Sequence, residues 1–134
     1  MLKRSFLLGS LAIIASAIIP AHAAPGFVMY APGVIENALK DGKIVFVDYS
    51  ASWCSTCKAQ ERVIDGLLNS NPAYGKAMTF VRVDWDEYGE QPVTTDRGIP
   101  RRSTLLVLKG DMELGRIVAG TSEAEIKALL DTGL

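Results

Sequence analysis

The chain has 134 residues, 49% of them hydrophobic and 22% charged, with a formal net charge of −1 and two cysteines. This length suits one domain with a single core, and the charge balance offers no footing for nucleic acid or an anionic membrane surface. Disorder, coiled coil and repeat arrays find no support in the composition.

The first residues, MLKRSFLLGSLAIIASAIIPAHA, have the layout of a secretory signal peptide. Lys3 and Arg4 form a positive head, residues 6–19 an apolar run, and Ala21-His22-Ala23 a small-residue cleavage site. The expectation is a cleaved leader over 1–23 and one domain over 24–134. An uncleaved leader would tether the domain to the membrane, but the apolar run is short for a span. Export places the domain outside the cytoplasm, where disulfides persist. Cleavage also removes His22, the chain's one histidine, and leaves 12 basic against 15 acidic residues, a net charge of −3.

In the domain, residues 26–30 (GFVMY) read as a short first strand. Residues 32–40 carry Val34, Ile35, Ala38 and Leu39 at helical spacing, with Asp41-Gly42 as the stop. The run KIVFVDYS (43–50) is apolar on both faces and predicts a buried strand. Beyond it, Val63, Ile64, Leu67 and Leu68 share one face of a helix that ends by residues 69–72. Residues 78–86 (MTFVRVDWD) predict a strand, and the polar segment after them, with Pro92, Gly98 and Pro100, has room for one helical turn. Residues 103–120 read as a hairpin turning at Lys109-Gly110-Asp111. The last helix opens with a capping box of Ser122 and Glu125 and turns Ile126, Leu129 and Leu130 to the core. The order of elements predicts an α/β fold, a central mixed sheet of four to five strands with helices on both faces. Trp85, Tyr49, Tyr74 and Tyr88 read as packing residues.

Both cysteines lie in YSASWCSTCKAQE (49–61), where the buried strand meets the following helix. A stapling disulfide gains with the loop it closes, so Cys54 and Cys57 would staple little. Zinc asks for four ligands, and the domain offers two thiolates and no imidazole, unless two copies share their pairs. Thiol–disulfide exchange suits the spacing better. A helix N-terminus stabilises a thiolate, and two intervening residues put the second sulfur one turn away, within reach of a mixed disulfide on the first. Cys54 is then the exposed attacker and Cys57 the resolving thiol. Lys58 and Arg62 read as a solvated helix face. Asp48 shares a strand face with Ile44 and Phe46, so a central strand buries it. Burial raises a carboxyl pKa, which suits a proton carrier near neutral pH.

The segment VDYSASWCSTCK resembles the active-site segment of the thioredoxin superfamily: an apolar strand ending in Asp, then Trp-Cys-x-x-Cys-Lys. The likeness extends over nearly the whole domain. With the leader, it is similar to periplasmic thioredoxin-like proteins and to the soluble C-terminal domain of transmembrane thiol:disulfide interchange reductases. The resemblance implies a thioredoxin fold in which Cys54 is the nucleophile, Cys57 resolves and Asp48 shuttles the proton. It also implies that Trp53 covers the active-site surface and that Arg82 stands where a lysine often pairs with the carboxylate.

One position departs from the family. Before TLLVLK the resemblance implies a cis-proline facing the sulfurs, but this chain has Ser103, with Pro100 three residues earlier. Either Ser103 takes the substrate-docking position with a trans bond, or the loop is rebuilt and Pro100 substitutes in part. A non-proline cis bond costs about 3 kcal/mol, which favours trans at Arg102–Ser103. Trp53, Arg102 and Ser103 are the candidate substrate-binding residues, although Arg101-Arg102 also reads as a plain exposed basic pair.

The expected activity is that of an exported thiol:disulfide oxidoreductase, a monomer acting on protein or small-molecule disulfides with a membrane or soluble redox partner. No cofactor or metal is expected beyond the two sulfurs. Ser55-Thr56 lacks the histidine that would stabilise a strongly oxidising thiolate, which favours a reductase. Two alternatives remain: a copper-handling module using the same sulfurs, and a non-catalytic binding domain that recognises its partner through the Ser103 loop.

Overall fold

The computed structural model describes residues 26–134, so the leader expected over 1–23 lies outside the described residues. Five strands form one mixed sheet in the order β1-β3-β2-β4-β5. They are β1 (Val28–Met29), β2 (Ile44–Ser50), β3 (Met78–Asp84), β4 (Thr104–Lys109) and β5 (Met112–Val118). β1 and β2 both run parallel to β3, whereas β4 is antiparallel to β2 and β5 is antiparallel to β4. The expected mixed sheet is therefore present.

β2 is central because it is apolar on both faces, and the two faces build two cores. On one side Phe46 meets Ile64 and Leu67 of α2 (Ser55–Ser70) and Ile126 of α6 (Glu123–Asp131). On the other, Val45, Val47 and Tyr49 meet Ile35 of α1 (Val34–Lys40) and Val93 of a short helix. Fully burying one such aliphatic side chain contributes about 2 kcal/mol, so both helix layers are fixed by this one strand.

Local signals explain most boundaries. Ser122 caps α6, its hydroxyl accepting from the Glu125 N–H at 3.1 Å. The β4–β5 hairpin turns at Gly110, whose φ of 59° suits a residue without Cβ. The strand expected over 78–86 stops at Asp84, because the Asp84 carboxylate turns back to accept from the Asp86 N–H at 3.0 Å. The polar segment then forms two short helices, α4 (Trp85–Tyr88) and α5 (Pro92–Thr95), and α3 (Ala73–Ala77) lies unexpectedly before β3.

Candidate active site

β2 leads through residues 51–53 to Cys54, the N-cap residue of α2. Its Sγ accepts from the Cys57 N–H at 3.1 Å, and the two cysteines are joined as a disulfide. The free amide groups and dipole of a 16-residue helix favour negative charge at this end. A thiolate formed at Cys54 on reduction is thereby stabilised.

The expectation of an exposed Cys54 is not met: Cys54 and Cys57 are each only 2% exposed. Ala51 and Trp85 pack against the pair, and the Ser103 hydroxyl lies 3.1 Å from each sulfur. Ala51 is local to the motif, whereas Trp85 opens α4 (Trp85–Tyr88) and Ser103 lies in the loop before β4, both remote in sequence. An incoming thiol has to displace part of this cover before it reaches Cys54.

Ser103 takes the position facing the sulfurs, while Pro100 is exposed three residues away. The described residues contain no cis peptide bond, as expected at Arg102–Ser103. Instead Ser103 adopts a left-handed φ of 63°, costly for a residue with a side chain. Its surroundings hold it there. The Ser103 N–H donates to the Tyr49 carbonyl at 2.7 Å, and its own carbonyl accepts from Ala119 N–H at 2.8 Å and Gln60 Nε2 at 3.0 Å.

Asp48 lies on β2 in the face covered by α2 and is 1% exposed. Arg82, its register partner on β3, donates from Nε to Oδ2 at 3.2 Å and from a terminal nitrogen to Glu61 at 3.4 Å. Asp48 Oδ1 has no partner among the described residues. Burial pushes this carboxyl from 3.8 up to about 6, with the Arg82 charge and hydrogen bond pulling it back. A cleft of about 280 Å³, lined in part by Lys58, Glu61 and Arg82, opens on the Arg82 side of the pair.

Trp53 is 56% exposed, yet fixed from two sides. Its indole N–H donates to both carboxylate oxygens of Asp86, at 3.0 and 2.9 Å, and the Arg102 guanidinium lies 4.4 Å over the ring. Arg101 and Arg102 are half-buried rather than an exposed basic pair, and Arg101 Nε donates to the Arg102 carbonyl at 3.1 Å. Lys58 and Arg62 are exposed, as read from the helix pattern.

Two residues of the site escaped the sequence reading. Asp86 gives no sign of partnering a tryptophan 33 residues away. Gln60 does leave a trace: it is a polar residue on the apolar stripe of Cys57, Ile64, Leu67 and Leu68. It is fully buried, and its amide donates to the carbonyls of Ser103 and Gly120. Among the described residues, no group of three or more His, Cys, Asp or Glu side chains stands together as a metal site.

A disulfide at the N-cap of the long helix, with a buried carboxylate on the central strand that leads into it, defines a protein of dithiol–disulfide exchange. The chain belongs to the thioredoxin family, which it matches over residues 28–132. It is similar to the thioredoxin of Echinococcus granulosus, with 32% identity over 96 residues, 72% of this chain and 83% of that one. Thioredoxin-1 of Saccharomyces cerevisiae is 30% identical over 92 residues, 69% of this chain and 82% of its own. In structure the chain is similar to Trxlp from Edwardsiella tarda, with a TM-score of 0.66 and 25% identity, covering 77% of this chain and 98% of that one. It is thus a thiol:disulfide oxidoreductase whose redox pair is Cys54–Cys57.

Proposed function

We propose that the chain is an exported disulfide reductase working in the periplasm, close in role to the soluble domain of the transmembrane thiol:disulfide interchange reductases. The observation that carries the exchange chemistry is the Cys54–Cys57 disulfide capping α2, with the buried carboxylate of Asp48 on the strand that leads into it. In the reduced protein Cys54 attacks a substrate disulfide and releases one substrate thiolate. Cys57 gives its proton to Asp48, attacks the Cys54 sulfur and frees the second substrate thiolate, leaving the disulfide seen here. The two sulfurs carry both electrons, so the cycle asks for no cofactor or metal.

Trp53, held by Asp86 and Arg102, offers a fixed, half-exposed aromatic plate beside the pair, suited to a protein disulfide. Arg102 and the Ser103 loop form the rest of the docking rim. Export rests on Lys3, Arg4, the apolar run and the Ala21-His22-Ala23 site. In that compartment a monomeric domain draws its electrons from a membrane or soluble dithiol partner. Among the described residues, no helix is long and apolar enough to cross a membrane.

The reduction potential of the pair decides the direction of electron flow. Equilibration against dithiothreitol and glutathione buffers should give a value nearer the thioredoxin end, about −270 mV, than the strongly oxidising end at about −120 mV. A value at the oxidising end would make the chain a disulfide donor.

A further inference from the structure

We propose that the Ser103 hydroxyl is the hydrogen-bond donor that holds Cys54 as a thiolate in the dithiol state, and so sets how oxidising the Cys54–Cys57 pair is. This rests on the exchange reading above and deepens it. Ser103 Oγ lies 3.1 Å from Cys54 Sγ and 3.1 Å from Cys57 Sγ. A disulfide sulfur carries no hydrogen, so in this state the hydroxyl donates and the sulfurs are weak acceptors. Ser103 is fully buried, which keeps competing water away. Its backbone is clamped on both sides, by Tyr49 through its N–H and by Ala119 and Gln60 through its carbonyl. The left-handed φ of 63° is thus held in place, with the hydroxyl beside the sulfurs.

Reduction by glutathione shows what the hydroxyl gains. Two glutathione thiols lose two electrons and join as glutathione disulfide, and the Cys54–Cys57 bond breaks. Of the two protons released, one stays on Cys57 as S–H and one goes to solvent, leaving Cys54 as a thiolate. Cys57 S–H then donates to Ser103 Oγ, and the Ser103 O–H donates to the Cys54 thiolate beside the Cys57 N–H already 3.1 Å away. A hydrogen bond to an ionised acceptor is stronger than the same bond to a neutral one. The hydroxyl therefore favours the reduced state over the oxidised one. Without it, Cys54 holds its proton to higher pH and the pair becomes more reducing. A proline ring at this position offers no such donor.

The test compares the full chain with Ser103→Ala and Ser103→Gly, each equilibrated with glutathione and titrated by its thiolate ultraviolet absorbance. Both variants lack the hydroxyl, but glycine relaxes the left-handed backbone and alanine does not. The expected result is an equilibrium constant for reduction lower by about tenfold in both variants, or about 30 mV more negative for this two-electron couple. The Cys54 titration should move up in both. A role confined to backbone strain would separate the two variants in unfolding stability and leave the potential alone. If both keep the wild-type constant, or glycine alone does, the role of Ser103 is overturned while the exchange reading stands. If the wild-type pair does not equilibrate with glutathione at all, the exchange reading falls, and the role of Ser103 falls with it.

Discussion

The side-chain amide of Gln60 donates to the carbonyl of Ser103 at 3.0 Å, tying the helix that bears the cysteines to the loop that faces them. The same amide reaches the Gly120 carbonyl at 2.9 Å, so one residue fastens α2 to both sides of the β4–β5 hairpin base. Removing it leaves a cavity and two carbonyls short of a donor. Gln60→Ala should destabilise the fold by about 2–3 kcal/mol, measured by urea denaturation. It should also speed alkylation of the reduced cysteines, because the cover over them loosens. Unchanged stability would mean that the fold does not depend on this tie.

Asp48 gives the protein a pH dependence of definite sign. Its carboxyl titrates at 3.8 when free and at about 6 in the fold. Between those values the folded chain keeps a proton the unfolded chain has lost, so stability falls as pH rises through this window. Above pH 6 the gap amounts to about 3 kcal/mol against the fold. Asp48→Asn should therefore stabilise the protein by up to that amount at pH ~8, and by almost nothing at pH ~4. Denaturation at the two pH values checks it; an equal effect at both would show that the buried charge is not the cause.

The same substitution should slow disulfide exchange. Loss of a positioned base costs about 10²-fold, and the rise in rate near pH 6 should vanish with it. A pH–rate profile of Asp48→Asn that still rises there would assign the titration to another group.

Proline cannot simply be restored at position 103. Its ring fixes φ near −65°, whereas Ser103 sits at +63° and donates its N–H to Tyr49. Ser103→Pro should cost about 3 kcal/mol or more, seen as a fall in Tm. A variant as stable as the wild type would show that the loop can rebuild around proline.

Trp53 separates recognition from stability. It is 56% exposed, so Trp53→Ala should change unfolding stability by less than about 1 kcal/mol. Reduction of a protein disulfide such as insulin should nevertheless fall several-fold, and reduction of a small disulfide much less. Equal losses on both substrates would remove Trp53 from the docking surface.

The sequence was most informative where one stretch of chain decides the outcome. The double-faced apolar run of β2 made it central, and its alternation put Asp48 under α2; both follow from strand periodicity. At the end of α1 the Asp41 N–H donates to the Asn37 carbonyl and the Gly42 N–H to the Leu39 carbonyl, closures that likewise follow from the Asp41-Gly42 stop. The trans bond at Ser103 followed from the cost of the alternative. What stayed hidden depends on distant segments meeting. Cys54 is buried because Trp85 and Ser103 arrive over it, and no local pattern announces that. Trp53 finds Asp86 across 33 residues for the same reason. Of the short helices, one turn was expected in the polar segment where α5 lies; α3 and α4, of five and four residues, are too short for periodicity to register.

The most direct measurement is the trapping of mixed disulfides by Cys57→Ser and by Cys54→Ser, each reduced and mixed with a disulfide-bonded protein, with the linkage mapped by mass spectrometry. With the resolving thiol gone, Cys57→Ser should accumulate a stable mixed disulfide at Cys54. Cys54→Ser should trap little and reduce nothing. If Cys54→Ser still reduces insulin, or traps through Cys57 as fast, Cys54 is not the attacking sulfur and the proposed mechanism fails.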